Sequence, residues 1–255
     1  MAILDAMEIS LDSVLVKTLV VGDYGTGKSV FASTFPTPGF LFDFDKGALT
    51  YKGKDFKYGQ YPITANGWVE FEKDFNEVVK RTKEGEFKTI VFDSTSLLTD
   101  IAMERALQLD PKRSPTGGPL WNVHYGIVRN LVEGKIRQLL QLQANIVVIS
   151  HLEIIKDQES GAILGTQPLL PGALSTKMPG YFDEVYFAFS KVKDGKPDFY
   201  LQTLPRGHYK ARSRVSGKAQ ALPFEIPNDY PNLLKLIEAE MKKDKIRMEN
   251  AAKSA

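Results

Sequence analysis

Eight consecutive residues, GDYGTGKS from Gly22 to Ser29, are the part of the chain best suited to chemistry. They fit G-x-x-x-x-G-K-[ST], a pattern in which each position has a physical task. Gly25 and Gly27 let the loop curl without side chains, so that successive backbone N–H groups face one anion-sized hollow. A helix beginning near Lys28 adds the positive end of its dipole to that hollow. The Lys28 ammonium can reach β- and γ-phosphates, and the Ser29 hydroxyl can ligate Mg²⁺. The run Gly22, Asp23, Tyr24, Gly25, Thr26, Gly27, Lys28, Ser29 and Val30 is therefore the expected cradle of a nucleoside triphosphate.

That cradle needs a strand before it and a helix after it. The β-branched run VLVKTLVVG (14–22) and the helix-compatible segment SVFASTF supply both. A carboxylate must complete the metal site, and TIVFDS ends a second apolar run in Asp93, with Ser94 beside it. Further strands are expected at 39–45 (GFLFDFD) and 145–150 (NIVVIS). Trp68, Phe71, Phe75, Val78, Val79 and Thr82 recur at helical spacing. Leu97, Leu98, Ile101 and Leu107 mark a second helix, and a long one is expected over roughly 120–143. Residues 111–119 and about 152–181 read as loops, whereas FDEVYFAFS and DFYLQTL read as an antiparallel hairpin around DGKP. A last helix starts near 231, with Leu233, Leu234, Ile237 and Met241 on one face. The pattern predicts an α/β fold with a mainly parallel central sheet flanked by helices and an antiparallel edge hairpin. The expected division is a short segment 1–13, a core 14–240 and a charged tail 241–255.

Composition narrows the function classes. The chain has 255 residues and no cysteine, which excludes a disulfide framework, thiolate metal sites and cysteine nucleophiles. No apolar run approaches the ~20 residues that cross a bilayer, and the opening MAILDAMEISLDSV lacks the basic and apolar regions of a secretory signal. Lys and Arg exceed Asp and Glu by 33 to 31, a net charge of +2, which argues against coating nucleic acid by bulk charge. The balance is local: Arg206, Lys210, Arg212, Arg214 and Lys218 stand together with no carboxylate between them.

The order of these motifs resembles the RecA-like ATPases, and GDYGTGKS, DFDKG, IVFDS and ISHLE are most similar to the small phage-encoded RecA-like single-strand annealing proteins. The resemblance implies ATP and Mg²⁺ as cofactors, with Asp93 and Ser29 at the metal. It places Asp45 at the position of the general base, where the family commonly has Glu, leaving Asp43 structural; a capping or salt-bridge role for Asp45 stays open. His151, ending the fourth strand, matches the residue that senses the γ-phosphate. Lys210 and Arg212 are the nearest matches to cations that reach a neighbouring subunit's ATP; a DNA-contacting hairpin and a solvated turn remain alternatives. The loops at 111–119 and 152–181 fall where such proteins meet DNA, which makes Arg113, Lys156 and Lys177 candidate phosphate contacts and Trp121, Tyr181 or Phe182 candidate stacking surfaces. The implied setting is cytoplasmic: a homo-oligomer with ATP between subunits, acting on single-stranded DNA beside a single-strand-binding protein, without a membrane. Only about a dozen residues precede the first strand, and no extra DNA-binding domain is evident at the C-terminal end, which argues against filament formation and strand exchange. Clock and motor-regulatory members of the same fold keep a second expectation open, a nucleotide-gated module that binds a protein. A small-molecule kinase is disfavoured because the basic cluster lies late in the chain.

Overall fold

The computed structural model describes residues 15–214 and 222–253. The segment 1–13 and Lys218 lie outside those residues, as does the side chain of Met241. The chain runs β1 (Lys17–Gly22), α1 (Lys28–Ala32), β2 (Gly39–Asp43), β3 (Phe56–Gln60), α2 (Ala65–Lys83), β4 (Thr89–Asp93), α3 (Thr95–Leu109) and α4 (Trp121–Leu140). It continues through β5 (Asn145–Lys156), β6 (Ile163–Pro168), α5 (Leu174–Lys177), β7 (Glu184–Lys193), β8 (Lys196–Gln202), β9 (Arg212–Ser213), β10 (Glu225–Pro227) and α6 (Tyr230–Lys253).

The strands lie in the order β10-β8-β7-β1-β5-β4-β2-β3, with β6 paired to β5 and β9 to β7. From β7 to β3 every neighbouring pair is parallel, while β8 and β10 form an antiparallel edge. This is the expected sheet. β1, which delivers the phosphate loop, is separated from β4, which delivers Asp93, by β5 alone. The register sets Asp43 beside Asp93 and Gly22 beside His151, so the candidate residues leave the sheet at one edge.

Strand alternation explains the two cores. Leu19, Val21, Ile146 and Val148 face α2, α3 and α4, whereas Val20, Val147 and Ile149 face α1 and α6. Both faces are covered, which is why these strands are apolar at nearly every position. Helix α2 buries the expected Trp68, Phe71, Phe75, Val78 and Thr82, and the Thr64 side chain caps it by accepting from the Gly67 N–H. Residues 111–119 form the expected loop. It is closed by buried His124, whose ring nitrogens meet the Leu120 N–H at 2.7 Å and the Asp110 carbonyl at 2.8 Å.

One expectation needs correction, and two features were not foreseen. The stretch 152–181 is not a loop throughout: β5 continues to Lys156 and turns back as β6, with Ile154 opposite Thr166 and Ile155 opposite Gly165. Its mixed polar composition hid a hairpin that is paired along one side and largely exposed. β3 escaped notice for the same reason, since FKYGQ is an edge strand whose residues are half-buried or exposed. The charged tail is helical, because α6 continues to Lys253. No helix among the described residues is long and apolar enough to cross a membrane.

Candidate nucleotide-binding site

The phosphate loop takes the shape its glycines require. Gly25 and Gly27 have φ of 68° and 82°, a region that side-chain-bearing residues rarely enter. A Cβ on Gly27 would lie 2.5 Å from the Asn228 amide nitrogen and 2.6 Å from the Phe199 ring, so packing as well as backbone geometry demands glycine there. Thr26 closes the loop by donating to the Asp23 carbonyl at 2.7 Å. Lys28 is buried, and its ammonium donates to the carbonyls of Gly22 (3.0 Å) and Asp23 (2.7 Å). Burial lowers its pKa, opposed by Asp93, Asp45 and Asp23 nearby.

Ser29 and Asp93 meet across the floor of the hollow, with the Ser29 hydroxyl donating to Asp93 Oδ2 at 2.6 Å. Burial pushes the Asp93 carboxyl up to about 6; Ser29 and Lys28 oppose that shift, and Asp45 and Asp43 add to it. A buried carboxylate surrounded by like charges is a position where a divalent cation relieves strain. The donor set fits Mg²⁺, which keeps several waters and takes one or two protein oxygens plus phosphate.

Asp45 and His151, which the sequence proposes separately, are in contact. His151 Nε2 lies 3.0 Å from Asp45 Oδ2, while Asp45 Oδ1 accepts from the Ser94 N–H (2.9 Å) and the Ser94 hydroxyl (2.8 Å). Burial tends to raise the Asp45 pKa, yet the hydrogen bonds from His151 and Ser94 outweigh it and hold the carboxyl below its ordinary value. Asp43 does something else. It is fully buried, accepts from the N–H groups of Gly47 (2.7 Å) and Ala48 (3.1 Å) and from Gln60 Nε2 (2.7 Å), and so shapes the turn that presents Asp45. The peptide between Asp93 and Ser94 is cis.

These groups line a cavity of about 260 Å³ bounded by Tyr24 to Val30, Asp45, Gly47, Thr50, Asp93, His151 and Phe199. Tyr24, 76% exposed, lays its ring over His151 with centroids 4.5 Å apart. Tyr24, Asp45 and His151 also form one wall of a larger neighbouring cavity of about 720 Å³, whose other walls come from α3, α4 and residues 169–171.

The remaining candidates lie elsewhere. Arg212 donates to the Phe182 carbonyl at 2.5 Å and fastens β9 to the chain before β7. Lys210 is exposed and borders a separate cavity of about 250 Å³ behind the β5–β6 hairpin. Neither lines the phosphate cavity of its own chain. Arg113 folds back onto the carbonyls of Leu107, Asp110 and Lys112, whereas Lys156 and Lys177 are exposed. Among the aromatics, Phe182 is fully buried, which removes it as a stacking surface. Tyr181 donates to Glu133 at 2.7 Å and lies under Arg137; Trp121 remains 69% exposed against Tyr125. Sequence reading missed Phe199 and Asn228, which reach the loop from the far end of the chain and belong to no motif.

A family model described as an AAA domain matches residues 15–215. Among solved structures, a KaiC-like protein from the hyperthermophilic archaeon Pyrococcus horikoshii OT3 aligns with a TM-score of 0.42 at 13% identity, over 78% of this chain and 81% of that one. Comparison with curated proteins gives no significant match. With its phosphate loop, buried acidic strand end and mainly parallel sheet all inside the matched residues, the chain belongs to the AAA domain family of P-loop ATPases.

Proposed function

We propose that the chain hydrolyses ATP with Mg²⁺ and couples that cycle to single-stranded DNA in phage-type recombination, annealing or repair. The observation that carries the chemical half is the convergence of Lys28, Ser29, Asp93 and the Asp45–His151 pair on one cavity. Backbone N–H groups of the loop bind the phosphates, and Lys28 exchanges its loop carbonyls for phosphate oxygens. Ser29 and Asp93 would hold Mg²⁺, which when bound neutralises phosphate charge. Asp45 orients the attacking water. Its low pKa makes it a weak base, but phosphoryl transfer through a loose transition state depends more on positioning and charge than on base strength. His151 and Ser94 fix the carboxylate, so a His151 that turns toward the γ-phosphate must release Asp45.

The coupling half rests on continuity of β5. His151 sits where that strand leaves the buried sheet, and the same strand carries Lys156 on the exposed hairpin, with Lys177 on α5 beyond β6. In a homo-oligomer with ATP between subunits, Lys210 is the candidate trans cation whose side chain is exposed, whereas Arg212 donates from Nη2 to the Phe182 carbonyl of its own chain. A single-strand-binding protein is the expected companion. A second reading has its own observation: Ile154, Ile155, Ile163 and Leu164 are exposed on that hairpin, a surface suited to a protein partner. The readings separate when ATP turnover is measured with and without single-stranded DNA across a salt series. Stimulation that weakens with salt supports the DNA reading; absence of both stimulation and salt-sensitive binding overturns it.

A further inference from the structure

The matched family region ends at residue 215, yet the phosphate loop is held by a residue beyond it. Asn228 follows β10, 201 positions after Gly27, and its Nδ2 donates to the Gly27 carbonyl at 2.9 Å in a buried contact. The amide orientation follows from chemistry, since a carbonyl only accepts and the NH₂ must face it. The same carbonyl accepts from the Phe31 N–H at 2.9 Å, so both of its lone pairs are used.

The peptide joining Gly27 to Lys28 is trans, and in a trans peptide the C=O and N–H point in opposite directions. Fixing the Gly27 oxygen toward Asn228 therefore fixes the Lys28 N–H the other way. That N–H belongs to the first turn of α1, where no intrahelical acceptor exists, and Lys28 lines the phosphate cavity. Helix α1 has only five residues and no side-chain cap at Gly27, so its single Phe31 bond to this oxygen is a weak anchor and Asn228 adds a second one from outside the helix. The neighbours of Asn228 secure the rest of the segment. The Tyr230 N–H donates to Thr34 Oγ1 at 2.9 Å, the Tyr230 ring lies 4.4 Å from that of Phe35, and the Asn228 N–H donates to the Phe199 carbonyl at 3.2 Å.

We infer that Asn228 is a positioning residue of the nucleotide site, aiming the Lys28 N–H at bound phosphate, and that residues 228–230 form a clamp supplied from outside the family's matched region. The inference rests on the reading of the cavity as a nucleotide site. It places the contact at phosphates that ATP and ADP share, so the loss should appear in affinity for both and in KM, with kcat close to wild type.

The test is calorimetric binding of ADP and of a nonhydrolysable ATP analogue to the full chain, with steady-state turnover and thermal melting on the same samples. Asn228→Ala should weaken both nucleotides about tenfold, the scale of one buried hydrogen bond. Asn228→Asp keeps the shape but replaces the donor with an acceptor facing the Gly27 oxygen, and should weaken them further. If Asn228→Ala and Asn228→Asp fail to fold, Asn228→Ser, uncharged and too short to reach the Gly27 oxygen, carries the test. Phe199→Leu, which keeps bulk against Gly27, should cost less affinity than either. Wild-type affinity in the Asn228 variants, even with a lowered melting temperature, overturns the inference and leaves the nucleotide site standing. Absence of binding by the wild type overturns the nucleotide reading, and the inference falls with it.

Discussion

The two halves of β5 show how one strand can serve opposite needs. Residues 145–150 are buried, with 146–148 paired in parallel to both β1 and β4, whereas residues 152–156 pair only with β6 and become exposed toward Lys156. His151 is the joint. Opening the first half means breaking into the sheet core; opening the second frees mainly Leu152 from that core, since Ile154 and Ile155 are exposed already. Chemistry that needs fixed distances lies at the rigid half, and contact with a partner is proposed at the half that moves at low cost. The fold thus separates preorganisation from adaptability within a single element.

The sharpest way to break this division is at the rigid end. Lys28→Ala should reduce ATP turnover by on the order of a thousandfold while the circular dichroism spectrum and melting temperature stay near wild type, because the lysine's partners are loop carbonyls that water can satisfy. Retained turnover would remove the phosphate loop from the mechanism. Asp45→Asn should cost roughly a hundredfold in kcat. His151→Ala should cost less alone, and in the double variant the two effects should fall short of adding, since the residues share one hydrogen bond. Additive losses would mean that Asp45 and His151 act independently.

How much of this was legible follows from whether a signal is local. The phosphate loop is contiguous, and Asp93 ends an apolar run at a strand's C-terminal end, so residue order alone announces both. The contact between Asp45 and His151 spans 106 positions and depends on strand order, which no local pattern encodes. Asn228 was invisible because one amide in PNDY resembles any turn residue until β10 carries it to Gly27. The β5–β6 hairpin was misread because exposed strands lack the apolar alternation that marks buried ones.

A subtler consequence of the buried acids concerns pH. Without bound cation the Asp93 carboxyl titrates at about 6, against an ordinary value of 3.8. Below the ordinary value both folded and unfolded chains hold this proton. Between pH 4 and 6 the folded protein keeps it while the unfolded chain has lost it, so this group's contribution to stability falls as pH rises through that window. The full effect is about 3 kcal/mol at about 1.36 kcal/mol per pKa unit. Asp93→Asn removes it. The nucleotide-free variant should therefore gain stability relative to wild type between pH 4 and 7 in denaturant titrations, although it loses turnover. A difference that stays flat over that range would show that the carboxylate is relieved by something other than a cation.

The smallest effect is expected at the exposed half of β5, and it bears most directly on the DNA reading. Lys156 has no ion-pair partner among the described residues and stands opposite Ile163 at the end of the hairpin. If it contacts a DNA phosphate, Lys156→Ala should leave basal ATP turnover and melting temperature unchanged. The logarithmic salt slope of single-strand binding should become shallower by about one counterion. Arg113→Ala gives the contrast. Its guanidinium already serves three carbonyls of its own segment, so its removal should disturb the loop at 111–119 more than it changes the salt slope. Should the Lys156 variant bind DNA with an unchanged slope while Ile154→Ser abolishes association with a protein partner, the hairpin is an apolar docking element. The adaptable half of β5 would then serve the second reading.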